Sequence, residues 1–224
     1  MTILAFGCSV THGAELEYPN QHDDNILNSY PQLVANYLDV SCINHAICGI
    51  SNEGIFHKVL DTVANYQTGQ ISAVIVGWTS NFREYWQCDD RSWFIIPSWC
   101  ATSKDIKQPY KFFTDYTDKD INQQPRVCSD DLEYMDQLGQ LYELITKYKF
   151  DAKEYAHKKQ HYIDMTRLYC QSRDIKLIET SCMYSVDDIG IHIDNIGNWR
   201  STLGHPTRDD HQEIAKNIIE AYKL

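Results

Sequence analysis

Short apolar runs alternate with longer stretches of helical periodicity along most of this chain. Runs rich in β-branched residues predict strands at 2–7, 40–45, 71–77 and 175–180. Apolar residues at helical spacing predict helices over 30–39, 53–66, 131–149, 152–172 and 209–222. Strands that alternate with helices are typical of a parallel sheet covered by helices, so the pattern predicts an α/β fold.

The segment from Pro97 to Asp130 breaks this alternation. Its polar and aromatic residues follow no period, and Pro109 and Pro125 interrupt it. We expect an insertion at about 97–130 over one end of the sheet, either a lid or binding element or a folded excursion with a strand or two. A chain of 224 residues, 43% of them hydrophobic, can bury a sizeable core, which favours a single domain over 1–224.

Charge and cysteine usage narrow the class of protein. The net charge of −11 has the wrong sign for phosphate contacts, so nucleic acid is not an expected partner. The eight cysteines include no CxxC pair, and a chain of this length needs no disulfide framework. The N-terminus lacks the basic region of a secretory signal, and no apolar run approaches the roughly 18 residues of a membrane span. We therefore expect a cytoplasmic protein with reduced thiols and no membrane partner.

Ser9 is the first candidate for chemistry. It follows the first predicted strand, and open α/β sheets place their sites at the carboxyl ends of strands. Gly7 and Gly13 on either side let the backbone turn and a ligand approach. These features suit a nucleophile, but taken alone they suit equally a serine that caps the segment that follows.

His205 is the matching candidate at the other end of the chain. It stands in a loop before the last predicted helix, with Pro206 next to it and His211 six residues on. An imidazole has a pKa near working pH and can accept a serine proton. Ser9 and His205 together predict a nucleophile and its base.

The order of these pieces resembles the SGNH (GDSL-like) hydrolase family, which carries four short blocks on a flavodoxin-like sheet. The blocks are matched by Phe6 to Gly13 around Ser9, by an Asn-x-Ala-x-x-Gly pattern at 44–49, by Gly-x-x-x-Asn at 77–81, and by His205-Pro206. The resemblance implies a three-layer α/β/α domain with a parallel sheet of strand order 2-1-3-4-5 and an insertion after the third strand.

The same resemblance implies the roles of the site residues. Ser9 is the nucleophile, His205 the base, and the N–H groups of Ser9 and Gly49 join the side-chain amide of Asn81 as oxyanion donors. Loss of one such donor typically lowers turnover about 10²- to 10³-fold. Taken alone, Asn81 also suits a turn at a strand end.

Two positions depart from the family pattern. Cys8 stands where an aspartate usually precedes the serine, and we expect little effect because that residue is not a triad member. Thr202 stands where the triad aspartate is expected, and a hydroxyl cannot stabilise an imidazolium with a full charge. Either Ser9 and His205 act as a dyad, or another carboxylate completes the triad; the candidates are Asp187, Asp188 and Asp194.

Aromatic residues cluster after the third predicted strand. The cluster comprises Trp78, Phe82, Tyr85, Trp86, Trp93, Phe94 and Trp99. Core packing explains some of them, while their position at the mouth of the predicted site favours a wall for the substrate. Trp78 and Arg83 are therefore candidate substrate-binding residues, and a surface ion pair with Glu84 is the alternative for Arg83.

Two sets of histidines are candidate metal ligands. His157 and His161 stand at i and i+4, but Lys158 and Lys159 between them indicate a solvated face. His205 and His211 with Asp209 and Asp210 form the other candidate metal cluster.

The resulting hypothesis is a serine esterase that needs no cofactor or metal. It cleaves a small or soluble ester, for example an O-acetyl group on a small molecule or glycan, through an acyl-enzyme on Ser9. With an alcohol in place of water, the same residues make an acyltransferase. A binding module that keeps the fold without the chemistry is the alternative from another class, and Thr202 favours it.

Overall fold

The structure, a computed structural model, describes residues 1–14, 16, 23–67, 69–79, 83–87, 93–96, 152–182, 189, 191–193 and 205–224. Its strands are β1 (Thr2–Gly7), β2 (Ser41–Asn44), β3 (Ile71–Trp78), β4 (Glu84–Gln87), β5 (Trp93–Ile96) and β6 (Leu177–Ser181). Its helices are α1 (Ser9–His12), α2 (Asp23–Leu27), α3 (Tyr30–Tyr37), α4 (Asn52–Val63), α5 (Ala152–Ser172) and α6 (Arg208–Tyr222).

Four of the strands form a parallel sheet in the order β2-β1-β3-β6. The central strands β1 and β3 are continuously apolar because both of their faces are covered. Side chains of β2 alternate between exposed and half-buried, as suits an edge strand. The carboxyl ends of β1 and β3 meet at Gly7 and Gly77, which are register partners.

Helices cover the sheet and make the three-layer α/β/α arrangement that the resemblance implied. α3 packs with α6, and α4 packs with α5. One helix of each pair begins at a side-chain cap. The Ser51 hydroxyl accepts the Gly54 N–H at the start of α4, and Thr207 and Asp210 form a capping box at the start of α6.

The four predicted strands and four of the predicted helices are confirmed, with bounds shifted by a few residues. The antiparallel pair β4–β5 directly after β3 was not predicted. A fifth strand of the main sheet is not seen in the described ranges, although Ser181 and His192 form an isolated parallel bridge beside β6. The predicted insertion at 97–130 and the helix at 131–149 lie outside the described residues, and the single domain stays a prediction. None of the helices described is long and apolar enough to cross a membrane.

Candidate active site

Ser9 lies where β1 ends and α1 begins, at the carboxyl edge of the sheet. Ser9 is 7% exposed, and its carbonyl accepts hydrogen bonds from the N–H groups of Gly13 and Ala14. Gly13 ends α1 with φ 82°, a left-handed conformation that favours glycine. The strand-to-helix turn that the glycine spacing predicted is therefore present, and Ser9 begins the helix.

A chain of buried hydroxyl groups lies beneath Ser9 and crosses the ends of the strands. The Tyr30 hydroxyl is 3.0 Å from Thr11 Oγ1 and 3.1 Å from Thr180 Oγ1. A Cβ on either Gly7 or Gly77 would lie 2.1 Å from Thr11 Oγ1. The two glycines are therefore needed for the close approach of Thr11, and the Tyr30 hydroxyl joins α1, α3 and β6.

His205 lies three residues before the start of α6. His211, in the first turn of α6, contacts Tyr30. The ring of His211 is fully buried, and its Nδ1 accepts the backbone N–H of Tyr30 at 3.0 Å. Burial lowers the pKa of His211 to about 4; Asp210 opposes the shift and His205 adds to it. His211 is therefore neutral at pH 7, and it lies close enough to His205 for their charges to interact.

Ser9 and His205 make no hydrogen bond to each other among the contacts of the described residues. Catalytic hydrogen bonds are often long before substrate binds, so their roles stay a prediction. Thr202 and the carboxylate candidates Asp187, Asp188 and Asp194 lie outside the described residues.

Gly49 lies in a turn whose loop is attached to the end of β1. The Ile47 N–H donates to the carbonyl of Gly7 at 2.8 Å, and the Ile50 N–H closes the turn on the carbonyl of Ile47 at 3.2 Å. Gly49 holds the third position of this turn with φ 87°, where glycine is strongly favoured. Asn44, the first residue of the same block, donates its amide to the carbonyl of Thr11 at 2.9 Å, so this loop is fixed beside α1.

Asn81, the remaining predicted oxyanion donor, lies outside the described residues. The backbone two residues earlier is firmly held, because Asn52 accepts the Thr79 N–H at 2.9 Å and donates to the Thr79 carbonyl at 3.0 Å. Trp78 is fully buried, and its indole N–H donates to Glu179 at 3.0 Å. Trp78, the last residue of β3, therefore packs in the core.

Two buried cations approach the same segments. Arg83 donates from Nη1 to the carbonyl of Ile50 at 3.2 Å, and Lys159 donates from Nζ to the carbonyl of Thr79 at 2.9 Å. The expectation of a solvated face is confirmed for His157, Lys158 and His161 but is wrong for Lys159, which is 3% exposed. The missed signal is helical spacing: the buried positions of α5 are Lys159, Ile163, Thr166 and Cys170.

Cys8 contacts a second cysteine from across the sheet. Its Sγ is 3.5 Å from Sγ of Cys182, and both residues are buried with free thiols. The bond from Cys182 holds the pKa of Cys8 well below its usual range; burial opposes it, and the charge of Arg83 lowers the pKa further. The Cys8 thiol, next to Ser9, is therefore held chiefly by its contact with Cys182.

Two of the candidate metal ligands before and within α6 already accept hydrogen bonds from other groups. The Asp210 carboxylate accepts the N–H and the hydroxyl of Thr207 at 2.8 and 2.7 Å, and His211 Nδ1 bonds to Tyr30. Within the described ranges, no three His, Cys, Asp or Glu side chains gather as ligands of one metal ion. The capping box accounts for the position of Asp210.

No protein-family model and no curated protein sequence matches the chain. Among solved structures, TesA superposes with a TM-score of 0.52 at 8% identity, over 100% of this chain and 98% of its own. The psychrotrophic esterase EstA from Pseudoalteromonas sp. superposes with a TM-score of 0.48 at 11% identity, over 99% of this chain and 96% of its own. A member of the lipolytic protein G-D-S-L family from Veillonella parvula superposes with a TM-score of 0.39 at 12% identity, over 100% of this chain and 98% of its own. The TesA match shows that the two chains share a fold, and the predicted fold class is confirmed.

Proposed function

We propose that the chain is a serine esterase of the SGNH type that cleaves a small or soluble ester, such as an O-acetyl group, through an acyl-enzyme on Ser9. The observation that carries this proposal is the position of Ser9, at the carboxyl end of β1 and the first residue of α1, in a fold shared with TesA. Two further solved structures with similarity to the chain are an esterase and a lipolytic protein.

The reaction proceeds in two halves. Ser9 Oγ attacks the carbonyl carbon while His205 takes its proton, and the tetrahedral intermediate expels the alcohol, which leaves with that proton. Water then attacks the acyl-enzyme, His205 takes its proton and returns it to Ser9, and the acid is released. No cofactor takes part in either half.

Three donors stabilise the oxyanion. The N–H of a first helical residue has no acceptor within its helix, which suits Ser9 for this role. The turn at Gly49 supplies a second N–H on a loop attached to Gly7, and Asn81 supplies a side-chain amide. Donors fixed in advance contribute most because they need no reorganisation during the reaction.

A fluorophosphonate probe tests the proposal. We expect covalent labelling of the wild type, loss of labelling in Ser9→Ala and slower labelling in His205→Ala. Ser172→Ala, which removes an exposed serine of α5, is the matched control and keeps full labelling. Hydrolysis of 4-nitrophenyl acetate must follow the same order and persist in excess chelator.

Folded protein that neither reacts with the probe nor hydrolyses the ester would refute the esterase. Activity that disappears with chelation would instead favour metal-dependent hydrolysis. Circular dichroism of each variant establishes that it is folded.

A further inference from the structure

The backbone at the end of β3 is held by a side chain from another element. The carboxamide of Asn52, the first residue of α4, accepts the Thr79 N–H at 2.9 Å and donates to the Thr79 carbonyl at 3.0 Å. A residue of an adjacent antiparallel strand exchanges the same pair of bonds with its partner. Asn52 therefore fixes both the position and the orientation of the backbone at Thr79, one residue beyond the end of the strand.

These bonds are shielded from water. Asn52 is 5% exposed and Thr79 is fully buried. Lys159 of α5 adds a third bond, from Nζ to the Thr79 carbonyl at 2.9 Å, and the Cys182 N–H donates to the carbonyl of Trp78 at 2.9 Å. Because a buried polar group that loses its partner is costly, this backbone is held firmly by α4, by α5 and by the segment after β6.

The start of α4 follows the turn of Gly49, whose N–H is a predicted oxyanion donor. Asn52 is three residues after Gly49 along the chain, and Arg83 donates from Nη1 to the carbonyl of the residue after Gly49 at 3.2 Å. Thr79 and Arg83 each stand two positions from Asn81, the other predicted donor in this part of the chain. The chain is therefore bonded on both sides of Asn81 to the segment that directly follows Gly49.

The spacing between two oxyanion donors decides how well they act together. A donor contributes only within hydrogen-bond distance of the oxyanion, and a misplacement of about 1 Å can lower a rate about 10²-fold. Two residues of chain span at most about 7 Å, so a displacement at Thr79 is passed on to Asn81. The two bonds of Asn52 link the backbone that leads to Asn81 directly to the helix that begins after Gly49.

We propose that Asn52 is a positioning residue of the esterase, which sets the place of Asn81 relative to Gly49 through the backbone of Thr79. The assignment rests on the proposed function, in which both groups stabilise the oxyanion. Asn52 acts in this role through Asn81 and not by contact with the substrate. Its loss therefore weakens binding of the transition state and leaves binding of the substrate unchanged, so kcat and kcat/KM fall together.

Hydrolysis of 4-nitrophenyl acetate by Asn52→Ala, by Asn81→Ala and by the double variant tests this role. We expect Asn52→Ala to lower kcat at least about tenfold while KM changes less than about twofold. In the Asn81→Ala background the same change is expected to lower kcat less than about twofold, because the donor that Asn52 positions is gone. Asn65→Ala, at an exposed asparagine just after the same helix, is the matched control and keeps the kcat of the wild type.

A second control separates positioning from a general effect on stability. Tyr222→Phe removes the hydrogen bonds between its hydroxyl and the backbone of Glu179, so we expect it to lower the free energy of unfolding without lowering kcat. Asn52→Asp keeps the acceptor for the Thr79 N–H and loses the donor to the Thr79 carbonyl. It replaces Asn52→Ala in the cycle if the alanine variant does not fold.

Two results in an active enzyme would overturn the role of Asn52. One is an unchanged kcat in Asn52→Ala, and the other is an equal loss of kcat in the wild-type and Asn81→Ala backgrounds. Absence of any hydrolysis or fluorophosphonate labelling that depends on Ser9 would instead refute the esterase, and this role with it. Failure of the positioning role and failure of the proposed function are therefore distinguishable.

Discussion

The backbone N–H of Tyr30 donates to Nδ1 of His211 across 3.0 Å, and the two rings stack with centroids 5.8 Å apart. This contact joins the first residue of α3 to the first turn of α6. Because the Tyr30 hydroxyl also reaches Thr11, one side chain connects the helix that begins with Ser9 to the segment that carries His205.

The buried His211 makes the fold sensitive to acid. Its pKa is lowered from 6.5 to about 4, so the folded state binds this proton less readily than the unfolded state. The stability is therefore complete above about pH 6.5 and falls as the pH drops toward 4, by about 3 kcal/mol from this group. Urea unfolding of the wild type at several pH values measures the slope.

His211→Asn keeps an acceptor for the Tyr30 N–H and removes the titration. We expect its free energy of unfolding to fall less steeply between pH 6.5 and 4 than that of the wild type. His161→Asn, at an exposed position of α5, is the control and keeps the wild-type slope. An unchanged slope in His211→Asn would contradict the assignment.

Tyr30→Phe removes the hydroxyl that joins Thr11 and Thr180. Two buried threonine hydroxyls then lose a partner, and we expect a loss of about 1–3 kcal/mol in the free energy of unfolding. Tyr37→Phe on the same helix is the control, because Tyr37 is 61% exposed and its change is expected to be negligible. Similar stability of the two variants would show that the hydroxyl chain contributes little.

Gly77→Ala places a methyl group against Thr11. Since the new Cβ would lie 2.1 Å from Thr11 Oγ1, we expect a destabilisation of about 1–3 kcal/mol, as in overpacked cores. Thr11→Ala in the same chain removes that oxygen, so the double variant is expected to be more stable than the sum of the single changes predicts. Strict additivity in urea unfolding would contradict this contact.

Thr202→Asp restores the aspartate of the family pattern. If Ser9 and His205 act as a dyad, a carboxylate at this position stabilises the imidazolium, and we expect kcat for 4-nitrophenyl acetate to rise at least about tenfold. Thr202→Asn has similar size without the charge and serves as the control. No increase would indicate that another carboxylate already occupies this role.

Much of the fold was predictable from local pattern. β1 and β3 are apolar on both faces, and α6 has an apolar stripe and a Thr-x-x-Asp cap. Each of these elements can therefore be predicted from a few neighbouring residues. The strand-to-helix turn at Ser9 was also predictable, because it depends on glycines at fixed positions.

The contacts between distant segments were not predictable. Cys8 and Cys182 are 174 positions apart, and Tyr30 and His211 are 181 apart, yet both pairs touch at one edge of the sheet. Lys158 and Lys159 are identical neighbours, but only Lys159 lies on the buried stripe of α5. The sequence by itself determined the four strands of the main sheet, the helices α3, α4, α5 and α6 and the turn at Ser9, since these depend on local conformational preference and burial periodicity. Only the tertiary structure decided which hydroxyl groups meet at the carboxyl ends of the strands and which lysine of α5 is buried, because the fold brings together residues that are far apart along the chain.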